Sequence, residues 1–589
     1  MKLVIREYLS MLKESGEIDA LLADLLLMMG IDLLSRPAVG SRQFGVDIPA
    51  VGVDPKDNKQ KLFLFTVKEG DITRSSWDTG KNAVRPSLNE ILDSYLRNRI
   101  RPEHEALPKK IILATGGEIK QDVEPDWINF IHRNTGTDPK YGEIEFEFWG
   151  GDQLALLIER YFLDEYLFPE SAQKHLRKTI ALADQNEDEP RFFYELIEET
   201  LFKKDLPKEK SNSAVRERQK ALCQFNLSLN IVFYWCQEAD NLRPALLCAE
   251  RAILRTWDWM RQNELFDCKK TAKKFDQLFL TYLKVTEAYA TKLKPHCFVR
   301  DGLFGYGADE LEYPLRTFEV IGILGTLGIA LNNLFAITTD EQQRETYQGQ
   351  MQAVAQMLAA LIENNPSALT PRYDNHAIDI ALGLLTLSVA GYRNQAAYWL
   401  IELSHSIVLA YRIGKYFPIA SDSYDDLVAM EVGQAPPKEE LMHASTLLPM
   451  LAGWYAVLNL ANDYRAFQEA VARTFTSTNL QLWFPDKDTD NYLYSTNAGY
   501  ASGFNFHPFR LPQTLDELKT YIIRIHEKYQ TYTDLSCLRW QLPVIALIAS
   551  RHFRTPIIPA YWQGNVCNPQ QNDHDISTDG AEKKQLPPD

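Results

Sequence analysis

Between residues 8 and 30 apolar side chains recur at helical spacing, with Leu21, Leu22, Leu25, Leu26 and Met29 on one side. Gly30 follows the last of them, where a C-cap glycine would stand. The period then changes. Residues 43–53 (QFGVDIPAVGV) and 61–68 (KLFLFTVK) are rich in β-branched and aromatic residues, and DPKDNKQ between them has the composition of a hairpin turn. A helical run after Asn89 (EILDSYLRNRI) leads to KKIILATGG at 109–117, which reads as a buried parallel strand. Residues 120–134 return to helical period, 144–152 (IEFEFWGGD) make a strand and turn, and 154–162 (LALLIERYF) make a short closing helix. This order predicts an α/β N-terminal domain with a mixed central sheet.

Beyond it the pattern is helical. Asp184 to Lys220 is strongly charged and reads as a partly helical linker. From Ala221 to about Trp562 nearly every segment has helical period, as in AIDIALGLLTLSVAGY and ASTLLPMLAGWYAVLNLA, without a fixed repeat that would mark a solenoid. Packing as antiparallel helical hairpins follows. The last residues (GNVCNPQQNDHDISTDGAEKKQLPPD) lack apolar groups and are expected to be disordered. The resulting domain map is 1–170 α/β, 171–220 linker, 221–562 a large all-α domain and 563–589 a tail. Several units are required in any case, because single cores stop growing near roughly 250–300 residues and the chain has 589.

The most membrane-like stretch, Val320 to Ile337, contains Asn332 and Asn333 and sits at the lower length limit for a span. Gly322, Gly325 and Gly328 recur within it at every third residue, which lets a neighbouring helix approach closely. A buried core helix is the expectation, with no membrane association. The N-terminus is interrupted by charge and lacks a signal peptide's apolar core. Seven cysteines form no C-x-x-C pair and are odd in number, so neither a zinc site nor a disulfide framework is indicated. Reduced thiols and a cytoplasmic location are expected. The net charge of −16 excludes a protein that coats nucleic acid through a broadly basic surface. It leaves room for a local basic patch beside an acidic metal site.

Candidate chemistry is concentrated in the first domain. Asp19 lies on the first helix, Asp47 in the strand FGVDIPAVG, and Lys68 at the end of FLFTVKEG. A hairpin sets those strands side by side, so Asp47 and Lys68 can approach at one sheet edge. Strand alternation puts Thr66 and Lys68 on one face and Val67 and Glu69 on the other. Glu69 is therefore a poor ligand, although the Val67 carbonyl can offer an oxygen. Metal-assisted phosphodiester hydrolysis needs hard oxygen ligands, an activated water and a cation near the phosphate. Asp47 would be the central ligand of Mg²⁺ or Mn²⁺, Asp19 a second, and Lys68 the group that orients or deprotonates the water. Taken singly, the same residues also read as a solvated strand-end carboxylate and a surface lysine.

These pieces, Asp19 with Gly30, Gly45-Val46-Asp47-Ile48, Thr66-Val67-Lys68 and the ending FWGGDQLALLIE, resemble the PD-(D/E)xK nuclease superfamily and within it the Mrr-like restriction-endonuclease group. The resemblance covers about residues 1–165. It implies a restriction-endonuclease-like fold, catalytic roles for Asp47, Lys68 and position 66, and double-stranded DNA as substrate. The chain departs from the pattern at Thr66, where an acid or Gln is expected; threonine brings no charge to a metal. Arg42, Arg74, Trp77, Lys81 and Arg85 flank the site and are candidates to contact phosphates or stack a base; they read equally well as a solvated loop with a packed tryptophan.

The resemblance and the domain order imply a DNA endonuclease effector of prokaryotic defence, acting as a homo-oligomer and held in check by the helical region or a partner such as an ATPase. The rival expectation is an inactive nuclease fold that serves as a scaffold for nucleic acid or protein. A third makes the helical region a receptor with the nuclease as its output. Other motifs fail on inspection. Asp486, Asp488 and Asp490 alternate as in a calcium loop, but Asn491 and Asn497 stand where the glycine and bidentate glutamate belong. GLFGYG at 302–307 follows no strand and has no P-loop lysine. His405 and His443 lie in apolar runs and read as core histidines, and Trp257 and Trp259 as core tryptophans.

Overall fold

The computed structural model describes residues 2–35, 44–79, 83–138, 141–163, 170–184, 189–203, 206–306, 309–495, 503–506, 509–529, 534–559, 562–563 and 566. It divides the chain into two compact units, Met1–Val285 and Thr286–Asp589.

The first unit is built on a six-stranded mixed sheet. Its strands are β1 (Asp32–Leu33), β2 (Ile48–Val53), β3 (Gln60–Lys68), β4 (Lys109–Thr115), β5 (Gly136–Asp138) and β6 (Gly142–Trp149), in the order β1-β2-β3-β4-β6-β5. The β2–β3 hairpin is antiparallel, with Ile48 opposite Phe65, whereas β3–β4 and β4–β6 are parallel. Central β3 is buried from Lys61 to Lys68 on both faces, which accounts for its nearly unbroken apolar sequence. Phe63, Phe65 and Val67 face one core, formed with helices α1 (Lys2–Ser10) and α2 (Asp19–Met29) and with the helices Gly151–Phe162 and Asn212–Glu238. Leu62 and Leu64 face the other, under Val84–Glu90 and Glu124–Asn134. The expected α/β layout with a mixed sheet is thus present.

The continuous helix expected over 8–30 is in fact two. The chain breaks at Ser15 and Gly16, where Gly16 adopts φ +84°, before α2 begins at Asp19 and ends on left-handed Gly30. The stretch 171–220, expected as a partly helical linker, is indeed partly helical but packs into the first unit. The helices Glu170–Ala181 and Arg191–Ile197 bury Ala172, Leu176, Phe193, Leu196 and Ile197 within the first unit. Cys223, Leu227 and Ile231 of the next helix pack in the same core as α1 and α2. Charge density marked these helices' outer faces, while the fewer apolar positions supplied the packing.

At the sheet end away from Lys68, Asp54, Lys61 and Lys110 form a buried ion network. Asp54 Oδ2 lies 2.9 Å from Lys61 Nζ and 2.7 Å from Lys110 Nζ, and Lys110 also meets Glu147 at 2.6 Å. Each buried charge has opposite charges beside it, the condition for tolerating it in a core.

The second unit is helical apart from two short strand pairs, Leu482–Phe484 with Phe504–Phe506 and Ala444–Ser445 with Asn479–Leu480. One helix, Glu312–Ile337, is long and apolar enough to cross a membrane, and most of its apolar window is buried within the protein. Its glycines explain the fit. A Cβ at Gly322, Gly325 or Gly328 would collide with Asp379, Leu382 or Thr386 of the helix Ala377–Val389. The expected close approach occurs there. Trp257 and Trp259 are core residues of the first unit, as anticipated, but His405 and His443 are exposed; among the described residues the buried histidines are His376 and His526. Asp486 accepts from the Asp488 amide, a local use that suits a turn, and Asp490 accepts from the amide and hydroxyl of Ser536, tying two distant segments together. Most of the C-terminal tail and Gly307 lie outside the described residues.

Candidate active site

Asp47 directly precedes β2, and the chain reaches it through a sharp turn. Gly45 has φ +79°, and a Cβ there would fall on the carbonyl oxygen of Ser87. No L residue suits that position. Val46 then enters one core and Ile48 the other, so regular alternation fails across Asp47. The carboxylate consequently extends the β2–β3 ladder. The Asp47 N–H donates to Phe65 O at 2.8 Å, and Asp47 Oδ2 accepts from the Val67 N–H at 2.7 Å. Since one strand residue points its N–H and C=O to the same side, the Val67 carbonyl also faces the Asp47 edge.

Lys68 ends β3 opposite Thr115 of β4 and is buried. Its Nζ lies 3.6 Å from Glu14 Oε1. Glu14 stands in the break between α1 and α2 and was absent from the residues anticipated at the site. The Ser-Gly pair at 15–16 is a chain-breaking signal that could have found it, but the helical period on either side masked it. Asp19, at the first residue of α2, accepts from the Ala20 N–H at 2.7 Å.

The electrostatics tie these groups together. Burial raises the Asp47 pKa above the usual carboxylate range; the Val67 N–H and Lys68 oppose the shift and Asp19 adds to it. Burial raises Glu14 too, with Lys68 opposing and Asp47 and Glu69 reinforcing. Burial likewise raises Asp19, against its backbone hydrogen bonds and together with Glu17. The charge of Asp19 thus acts on Asp47, and that of Asp47 on Glu14. Among the described residues, no three His, Cys, Asp or Glu side chains lie close enough to hold a metal ion together. The donors present are hard oxygens, and they suit a cation that takes one or two carboxylates and keeps several waters, as Mg²⁺ does.

The remaining anticipated residues divide. Thr66 is fully buried, and its Oγ1 meets no hydrogen-bond partner among the described atoms. It shares the Leu62 and Leu64 face with Lys68, as expected, while Val67 occupies the opposite core and Glu69 is exposed past the strand end. Trp77 is not available to stack a base. It is 1% exposed and packs edge-on against Trp127 and Phe130 at 6.2 Å. Arg74 is exposed. Arg85 is also exposed, but its Nε already pairs with Asp78 at 2.6 Å. Arg42 and Lys81 lie outside the described residues.

Comparisons with protein-family models, curated proteins and solved structures find no match to this chain.

Proposed function

We propose that the first unit is a metal-dependent endonuclease that hydrolyses DNA phosphodiester bonds, in line with the sequence's resemblance to the Mrr-like PD-(D/E)xK group. The observation that supports this reading most is Asp47, held by the Val67 N–H at 2.7 Å within the electrostatic reach of Glu14, Asp19 and Lys68. Asp47 is the principal metal ligand, through the carboxylate oxygen not committed to Val67. Glu14 or Asp19 adds the second carboxylate, and the Val67 carbonyl can add a neutral oxygen. When bound, Mg²⁺ or Mn²⁺ supplies a water of lowered pKa and positive charge for the phosphate oxygens. Lys68, steadied by Glu14, orients the attacking water and offsets charge developing on the phosphate. Arg74 contacts the DNA backbone from the adjoining helix start. With a net charge of −16 the chain as a whole offers DNA little attraction, so binding is weak without that local contact.

By analogy of architecture, a nuclease unit followed by a large helical unit suits an effector of prokaryotic defence, kept inactive until the helical unit, a partner such as an ATPase or assembly into a homo-oligomer releases it. One observation favours a second reading. The uncharged Thr66, with no group of three ligands among the described residues, also suits an inactive fold that only binds nucleic acid or a partner.

Plasmid cleavage with Mg²⁺ or Mn²⁺ separates the two. The catalytic reading expects nicking or linearisation by the wild type and a loss of about a hundredfold or more in Asp47→Ala and Lys68→Ala. Metal-dependent DNA binding without cleavage, with or without the neighbouring gene products, supports the scaffold instead. Equal cutting by all three proteins refutes the site.

A further inference from the structure

Behind the break that carries Glu14 lies a cavity of about 260 Å³, walled by α1, α2 and the helices Asn212–Glu238 and Lys269–Cys297. All of its lining residues belong to the first unit. Its charged groups are already matched: Glu17 pairs with Lys284, and Asp24 with Lys274. An ionic ligand would have to break one of these partly buried pairs, so the cavity selects against net charge. Its polar lining includes Tyr8, Gln277 and two amides one helical turn apart, Asn226 and Asn230. Asn226 Oδ1 accepts from Thr281 Oγ1 at 2.8 Å, and among the described residues its Nδ2 has no acceptor. Asn230 Nδ2 donates to the Asn226 backbone carbonyl at 2.8 Å and lies 3.5 Å from Asn226 Oδ1, and among the described residues its Oδ1 has no donor. Leu12, Leu21, Phe162, Leu227 and Leu280 supply apolar wall.

A donor on Asn226 and an acceptor on Asn230, set in apolar walls, can each meet a polar atom of a flat neutral heterocycle, the few placed polar groups in an apolar lining that give a small-molecule pocket its specificity. The volume falls just under the roughly 300–1,000 Å³ of drug-sized pockets, which suits a molecule of that scale. We propose that this cavity binds a nucleobase or nucleoside, and that its occupant controls the candidate active site. The link is covalent and short. Gly16, Glu17 and Ala20 line the cavity, while Glu14 of the same segment lies 3.6 Å from Lys68, and Glu14 and Asp19 share the electrostatic environment of Asp47. An occupant that packs on Gly16 and Glu17 fixes the break on which both carboxylates stand. The controlling role rests on the nuclease reading; the binding site does not.

Calorimetry on the full chain with adenosine, guanosine, cytidine, uridine and the free bases tests it. At least one should bind saturably, and Asn226→Leu and Asn230→Leu should each weaken it roughly tenfold, the loss of one good hydrogen bond. Asp47→Ala should bind as the wild type does. The corresponding 5′-monophosphates should bind less well than the nucleosides. Hydrogen exchange over residues 12–20 should slow on binding, and circular dichroism should show both Asn variants folded. Should either variant misfold, Asn230→Asp replaces it, since it keeps size and acceptor but adds a charge expected to lower affinity. No binding at millimolar ligand, equal binding by folded variants, or preferred binding of the monophosphates would overturn the proposal. Nucleoside binding with slowed exchange in a chain that cuts no DNA would uphold the site and refute only the nuclease reading. Cleavage without nucleoside binding would do the reverse.

Discussion

Replacing Asp47 separates two roles that its carboxylate combines. One is structural: Oδ2 accepts the Val67 N–H at 2.7 Å, and Val67 is fully buried. The other is electrostatic: burial and the charge of Asp19 raise its pKa. A carboxyl whose pKa is higher in the folded state holds its proton more tightly there, so the folded state is favoured below that pKa. The contribution falls away as pH rises through the interval between the unfolded and folded values. At neutral pH the ionised Asp47 therefore lowers the stability of the metal-free protein. Asp47→Asn keeps an acceptor for Val67 and removes the charge, so it should match or exceed the wild type in stability in EDTA. Asp47→Ala removes the charge as well but leaves the Val67 N–H unpaired, at about 1–3 kcal/mol. The Ala variant should therefore melt roughly 2–12 °C below the Asn variant, at about 2–4 °C per kcal/mol for a unit of this size. Differential scanning fluorimetry of the three proteins in EDTA and in Mn²⁺ reads both effects. Mn²⁺ should raise the melting temperature of the wild type alone, and more at pH 7 than at pH 4, where protons compete for the same oxygens. Equal melting of the Ala and Asn variants would refute the structural role. Equal stabilisation of all three by Mn²⁺ would refute metal binding at Asp47.

Glu14→Gln should cut plasmid at least about tenfold more slowly than the wild type while leaving DNA affinity unchanged in a filter-binding assay; unchanged cleavage would remove Glu14 from the site. Lys110→Met leaves Asp54 with one fewer counter-charge, and breaking a buried pair costs about 3–5 kcal/mol, read as a lower urea midpoint for the first unit. Its partners hold Asp54 down to about 2, so this network stabilises the fold above the ordinary carboxylate pKa and loses its effect as pH falls toward 2. The wild type should thus be more acid-sensitive than a chain in which Asp54, Lys61 and Lys110 are all replaced by apolar residues. Gly322→Ala drives a methyl onto Asp379, which Arg554 holds at 2.9 and 3.1 Å. Overpacking of this kind costs about 1–3 kcal/mol, seen as a lower melting temperature for the second unit, and an unchanged value would refute the close helix contact.

Much of the candidate site was legible because its carriers are local. Asp47 and Lys68 belong to strands joined by a six-residue turn, Asp54 to Lys59, so alternation and hairpin pairing bring them together without further information. The same alternation placed Thr66 beside Lys68 and sent Glu69 outward. Glu14 was not legible, because its place depends on the break at Ser15–Gly16, and apolar residues on both sides continue the helical period through it. Trp77 stayed open for a different reason. Exposed and buried tryptophans look alike in one sequence, and only Trp127 and Phe130, about fifty residues on, decide that it is core.

The hydrophobic pattern alone determined the main succession of elements in the first 165 residues, though not the break at Ser15–Gly16 or the short strands β1 and β5, together with the buried character of β3 and the close packing of the glycine-bearing helix. Each of these follows from interactions among residues near one another in sequence or from one element's own periodicity. Tertiary structure decided where the units divide, because burial is shared between segments far apart. Cys223, Leu227 and Ile231 join a core with Ile5 and Leu22, and so draw into the first unit helices whose charge suggested a linker. It also decided which carboxylates face Asp47, and it formed the cavity on the far side of the same turn. Those arrangements depend on how α1, α2 and the long helices stack, and no local propensity encodes that packing.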